Sequence, residues 1–137
     1  MRARGACVLR TFKTKPFARF ARREGIGDEA LCDAVERAGR GLINADLGGG
    51  VIKQRVARRG QGRSGGFRVI AVFRRKERAF FVHGFGKSDR DNLRGRELGA
   101  LKALADWLLG LDGPGLEAML ANGTISEVNC DAQAIRE

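Results

Sequence analysis

Lys53 and Arg55 stand two residues apart in the run VIKQRVARR, so on a strand they share one face. Arg58, Arg59 and Arg63 follow within a few residues, and Arg68 is the first basic residue of the next apolar run, FRVIAVFRR. If the two runs pair as strands, these side chains converge. Crowded like charges disfavour one another's charged form, so a lysine among arginines is placed to accept a proton. The arginines keep theirs, and can clamp a phosphate bidentately and stabilise developing negative charge. Read passively, the same cluster is an RNA-binding patch, and charge alone does not separate the two readings.

Other chemistries are poorly supplied. His83 is the single histidine, which excludes a multi-histidine metal site. It lies in an apolar run with Phe81 and Phe85 expected on its face, as a packed or surface histidine or as a proton shuttle. Cys7, Cys32 and Cys130 are odd in number and far apart, with no CxxC spacing, so neither a disulfide framework nor a zinc site is expected. Asp89 and Asp91 read as helix caps rather than as an acid–base pair. A GxGxxG string falls at Gly60, Gly62 and Gly65, but it opens a strand, whereas a dinucleotide fingerprint opens a helix. It reads instead as a loop whose amides and Arg63 reach phosphate, or as a plain hairpin loop. No metal and no cofactor are expected.

The charge distribution supports an anionic partner. The chain has 137 residues and a formal net charge of +10. Residues 1–23 carry +8 and residues 53–90 carry +10, while 24–52 and 91–137 each carry −4. Concentrated positive charge binds polyanions by counterion release. A generally basic but passive surface is the bland alternative. Hydrophobic residues at 43% suit one globular domain, and no apolar run reaches the roughly 20 residues of a membrane span. A cytoplasmic location is expected.

These residues need elements to hold them. Cys7–Phe12 reads as a short strand. Phe17, Phe20 and Ala21 have helical spacing, with Thr14 as cap and Pro16 in the first turn. A second helix begins at Asp28 with Leu31, Val35 and Ala38 on one face, and the two are expected to form a hairpin. Asp46–Gly50 reads as a turn. Residues 46–87 then read as a three-stranded antiparallel meander. A C-terminal helix carries Leu98, Leu101, Leu104, Ala105 and Leu108, followed by a turn or two at Gly115–Leu120 and a weak strand at Thr124–Val128. Trp107 is expected in the core or against a protein partner, and most phenylalanines in the core. The class is α+β: an N-terminal helical hairpin, a curled antiparallel sheet and a C-terminal helix. It forms a single domain over 1–137, with flexible residues 1–6 and 130–137.

The run GRSGGFRVIAVFRRKERAFFVHGFGKSDRDNL, residues 62–93, resembles the RelE/HigB group of bacterial toxins from type II toxin–antitoxin systems. The likeness lies in a G-x-G-[KR]-S-G-G-x-R loop-to-strand signature, a later G-x-x-K-S-x-R-x-N-[IL], and the preceding Lys-x-Arg strand in VIKQRVAR. It covers about residues 8–128. It implies a ribosome-dependent mRNA endoribonuclease in which the 2′-hydroxyl attacks the adjacent phosphate, without a metal. It also implies a cognate antitoxin, often acidic or of helix-turn-helix type. Carried over, Lys53 is the candidate base, Arg68 stabilises the phosphorane, and Lys87 or Arg90 holds the leaving side. Arg55, Arg58, Arg59, Arg63, Ser64 and His83 are the candidate RNA-binding residues. Many relatives place a tyrosine near the end of the sheet. This chain has no tyrosine, and Arg94 follows Asn92–Leu93. Phe81, Phe85 or His83 are the candidates to stack in its place.

Two alternatives stay open at this level. A related fold poisons DNA gyrase by binding alone, though its members usually lack the basic strand residues. A non-catalytic RNA-binding module would bind with steep salt dependence and leave RNA intact.

Overall fold

The structure is a computed structural model and describes residues 10–57, 66–74, 77–86 and 95–130. It begins with β1 (Arg10–Thr14), which runs directly into α1 (Lys15–Glu24). The Thr14 hydroxyl accepts from the Phe17 amide, and Pro16 sits in the first turn, where its missing N–H costs nothing. Gly25 ends the helix in the left-handed region at φ 74°. Helix α2 (Asp28–Gly39) follows with Asp28 and Glu29 at its positive end. Both helices bury one side: Phe17, Phe20 and Ala21 from α1, and Leu31, Cys32, Ala34, Val35 and Ala38 from α2.

Strands β2 (Ala45–Gly48), β3 (Val51–Val56), β4 (Phe67–Arg74) and β5 (Arg78–Phe85) come next. The chain closes with α3 (Gly95–Leu109), α4 (Gly113–Ala121) and β6 (Ile125–Glu127). The sheet has six strands in the order β2-β3-β4-β5-β1-β6. The expected β3-β4-β5 meander is present. Two expectations are corrected. Asp46–Gly50 is not only a turn, because Ala45–Gly48 pairs with β3 as an extra strand. The sheet is also not wholly antiparallel, because β1 lies parallel to β5, with Phe12 opposite Phe80. The C-terminal helical part is two helices, since Asp112 caps a new start by accepting from the Gly115 amide at 2.7 Å.

Strand alternation sorts the core into two layers. On the back of the sheet, Ile52, Val56, Val69, Ala71, Ala79 and Phe81 pack against α1 and α2. On the front, Val51, Val72, Phe80 and Phe12 pack against Ala105, Leu108 and Leu109 of α3 and Leu116 of α4. Arg10 forks onto the Glu127 carboxylate at 2.9 Å through Nε and Nη2, tying β1 to β6 and raising the guanidinium pKa above its ordinary value.

Cys32 and Cys130 form a disulfide with Cα atoms 5.6 Å apart, against the expectation of no disulfide. Their separation of 98 residues hides the pairing from any spacing argument. The fold creates it. After β6 the chain crosses the end of α2, where Asn129 donates to the Asp28 carboxylate and Val128 to the Thr11 carbonyl.

Candidate functional site

Beyond the rows covered by helices, the front of the sheet changes character. In the register, Lys53 lies opposite Ile70, which lies opposite His83. In the next row Arg55 lies opposite Arg68, which lies opposite Phe85. Directly opposed residues have Cβ atoms about 4.5–5.5 Å apart, and diagonal neighbours such as Lys53 and Arg68 are about 7–8 Å apart. Ile70 is fully buried between its neighbours and forms the floor. Lys53, Arg55 and Arg68 are half-buried and His83 is exposed. Four of the expected site residues therefore share one surface.

A bulge sets the position of His83. The pairing slips between Ile70 and Ala71, which leaves Val82 as an extra residue on β5. Phe81 is consequently on the back, fully buried and stacked on Phe17 at 5.5 Å. The expectation that Phe81 shares a face with His83 is corrected, and Phe81 cannot stack on a base. Phe85 does share that face. Its ring meets His83 edge-on, with centroids 4.8 Å apart, and it is itself buried. His83 is thus the aromatic ring of this pair that reaches solvent.

The surface is braced from behind. Gln54, between Lys53 and Arg55, is fully buried. Its amide donates to the carbonyls of Ala34 and Leu42 at 2.9 and 3.2 Å, and its oxygen accepts from the Asn44 amide at 2.8 Å. Arg37 of α2 is buried, pairs with Asp33 at 3.0 Å and donates to the Arg55 carbonyl at 2.6 Å. These hydrogen bonds tie β3 to α2 and to the segment that follows it. Two glycines permit close approach. A Cβ on Gly84 would lie 2.2 Å from the Phe20 ring, so α1 seats directly beneath His83 and Phe85. A Cβ on Gly66 would lie 2.0 Å from the Val56 carbonyl, which explains the second glycine of the SGG-x-R string. Sequence reading missed Gln54 and Arg37. The Asp33–Arg37 spacing of four was the available signal for the latter.

Arg58, Arg59, Arg63, Ser64, Lys87 and Arg90 lie outside the described residues, as do Asp89, Asp91 and Arg94. Val56, Phe67 and Phe85, the strand ends that flank these stretches, close the same end of the sheet, the end where Arg55 and Arg68 pair. Among the described residues no group of three or more His, Cys, Asp or Glu side chains could hold a metal. No helix there is long and apolar enough to cross a membrane. An apolar seam between α2 and the back of the sheet is lined by Ala34, Ala38, Ala71 and Ala79 among others.

The family model for the RelE toxin of the RelE/RelB toxin–antitoxin system matches residues 9–128. This chain belongs to the RelE toxin family. It is the toxin of a toxin–antitoxin pair and has a cognate antitoxin as partner. No curated protein matches the chain. The matched span contains the whole described sheet, so the Lys53–Arg55–Arg68–His83 surface lies inside the RelE homology. Trp107 is half exposed on α3, which removes the core reading of that residue.

Proposed function

We propose that this RelE toxin is an mRNA endoribonuclease that cuts on the ribosome by 2′-hydroxyl attack. The observation that carries the reading is the Arg55–Arg68 pair. Like charges directly opposed on a sheet destabilise it, and a phosphate between them turns repulsion into a clamp. Lys53 takes the 2′-hydroxyl proton as the 2′-oxygen forms its bond to phosphorus. Arg68 neutralises the charge gathering on the non-bridging oxygens. The bond from phosphorus to the 5′-oxygen then breaks, and the leaving oxygen takes up a proton from water, giving a 2′,3′-cyclic phosphate and a 5′-hydroxyl. Lys87 or Arg90 supports that leaving oxygen. Arg55, Arg58, Arg59, Arg63 and Ser64 grip the backbone, and His83 offers its exposed ring to a base in the absence of any tyrosine. The antitoxin, of helix-turn-helix type, silences this surface in the cytoplasm.

Induced expression with side-by-side assays of mRNA integrity and gyrase supercoiling tests the reading. Arg68→Ala is expected to slow cleavage by about 10²–10³-fold and Lys53→Ala by about 10²–10⁴-fold, both relieving growth arrest. Full toxicity of both variants removes the site assignment. Loss of supercoiling with intact mRNA replaces the nuclease with a gyrase-binding toxin.

A further inference from the structure

The positive charge of residues 1–23 is not absorbed by the sheet surface. Lys15, Arg19, Arg22 and Arg23 all lie on the exposed side of α1. At 100° per residue they fall within about a third of the helix circumference, along about 12 Å of its length. Arg23 lies over the Phe20 ring and 3.9 Å from Glu24. Among the described residues no ion pair or side-chain hydrogen bond engages Lys15, Arg19 or Arg22.

The neighbouring helix serves as an internal control. Helix α2 places Asp28 and Glu29 in its first turn and pairs Asp33 with Arg37 four residues on. These choices stabilise a helix. Helix α1 has no acidic residue in its first turn and puts Lys15 there instead. Arg19 then stands four residues from both Lys15 and Arg23 and three from Arg22, spacings at which like charges repel. Only Arg22 and Arg23, near the negative end, suit the helix dipole. A soluble helix has no need of this arrangement, whereas a helix that meets phosphates does.

We propose that the exposed stripe of α1 is a second RNA-binding surface, which takes the phosphate backbone of base-paired RNA. The partner is a duplex because the stripe has no stacking platform. Both aromatic rings of α1, Phe17 and Phe20, are buried against the sheet. Single-strand recognition relies on stacked bases, whereas A-form duplexes are held by backbone contacts and shape. Helix α1 packs on the back of the sheet, beneath Gly84, while Lys53, Arg55 and Arg68 are on the front. The toxin can therefore hold a strand to be cut on one side and a structured RNA on the other. This rests on the reading of the front surface only in that both partners are RNA.

Fluorescence anisotropy of the full chain with two probes, across a salt series, tests the proposal. One probe is a 2′-O-methylated RNA duplex and the other a 2′-O-methylated single strand, both with the attacking oxygen blocked. The double variant Arg19→Glu/Arg22→Glu is expected to bind the duplex at least tenfold more weakly. Its log–log salt slope should fall by about two, one for each lost phosphate contact. Its affinity for the single strand should change less than threefold. Arg55→Ala/Arg68→Ala is expected to do the reverse. If circular dichroism shows the glutamate variant misfolded, Arg19→Gln/Arg22→Gln carries the test, with the same loss of slope. Unchanged duplex affinity and slope overturn the proposal. So does lost capture of the cognate antitoxin with duplex binding intact, which marks an acidic-protein surface. If only Arg55→Ala/Arg68→Ala has no effect, the front surface loses its RNA assignment and the α1 site stands.

Discussion

The front of the sheet is two surfaces built on the same strands. Along β3 the inward series is Val51, Lys53, Arg55, and along β4 it is Val72, Ile70, Arg68. The Val51 and Val72 end is fully buried and joins the layer under α3 and α4. Two residues along, the same pleated backbone presents cations instead. Strand geometry is shared, so the difference is chemical. Apolar residues gain by being covered, whereas like charges cannot be covered without partners except at several kcal/mol. The helix-covered half holds the strands rigidly, and rigidity is what a charge clamp needs to stay at one spacing. Stability and chemistry are thus carried by successive residues of one strand, and mutation should separate them.

The largest separation is expected at Phe80, which is fully buried and stacked on Phe12 with centroids 5.1 Å apart. Phe80→Ala should cost about 3–5 kcal/mol in urea unfolding. The fraction that stays folded should still cleave RNA at the normal rate. Arg68→Ala should do the opposite, with stability within about 0.5 kcal/mol of the parent and cleavage lost. If folded Phe80→Ala protein is inactive, the two halves are not independent.

The back of the sheet sharpens the contrast, because there a covalent link adds to packing. Reduction of the Cys32–Cys130 bond, which closes a loop of 98 residues, should cost about 2–4 kcal/mol. The check is the fall in melting temperature on adding dithiothreitol, which Cys32→Ser/Cys130→Ser should not show. Because the bond lies in the α2 layer, single-turnover cleavage by the reduced protein should be unchanged.

Local signals were readable in the sequence and distant ones were not. Thr14 with Pro16 and the Asp28 start announced α1 and α2, because capping depends on residues within one turn. The β3-β4-β5 meander was readable from its alternation, and with it the meeting of Lys53, Arg55 and Arg68. The parallel pairing of β1 with β5 was not, since nothing within Arg10–Thr14 names a partner some 68 residues away. Strand β2 has four residues and ends in glycines, so its turn character masked its pairing. The bulge at Val82 is one unpaired residue in an apolar run, and it moved Phe81 away from the site. The disulfide and the Arg37 anchor likewise exist only once α2 is laid on the sheet.

The smallest expected effect is the most discriminating. Arg55→Glu replaces a like-charge cross-strand pair with an opposite one, and its glutamate would face Arg68 directly. Such a swap is worth about 0.2–1 kcal/mol in a sheet, so this variant should be more stable than the parent and more stable than Arg55→Ala. The Arg37 anchor is undisturbed, because it engages the main-chain carbonyl of residue 55 and not its side chain. RNA affinity should fall at the same time, since one jaw of the phosphate clamp now repels phosphate. Urea unfolding and RNA binding on the same samples give both numbers. Should Arg55→Glu be less stable than Arg55→Ala, the two arginines are not in conflict in the free protein. The argument that the sheet keeps an unfavourable pair for the sake of its ligand then fails. Should stability rise while RNA binding falls, the cationic half carries an unfavourable like-charge pair, which the apolar half two residues away never has to bear.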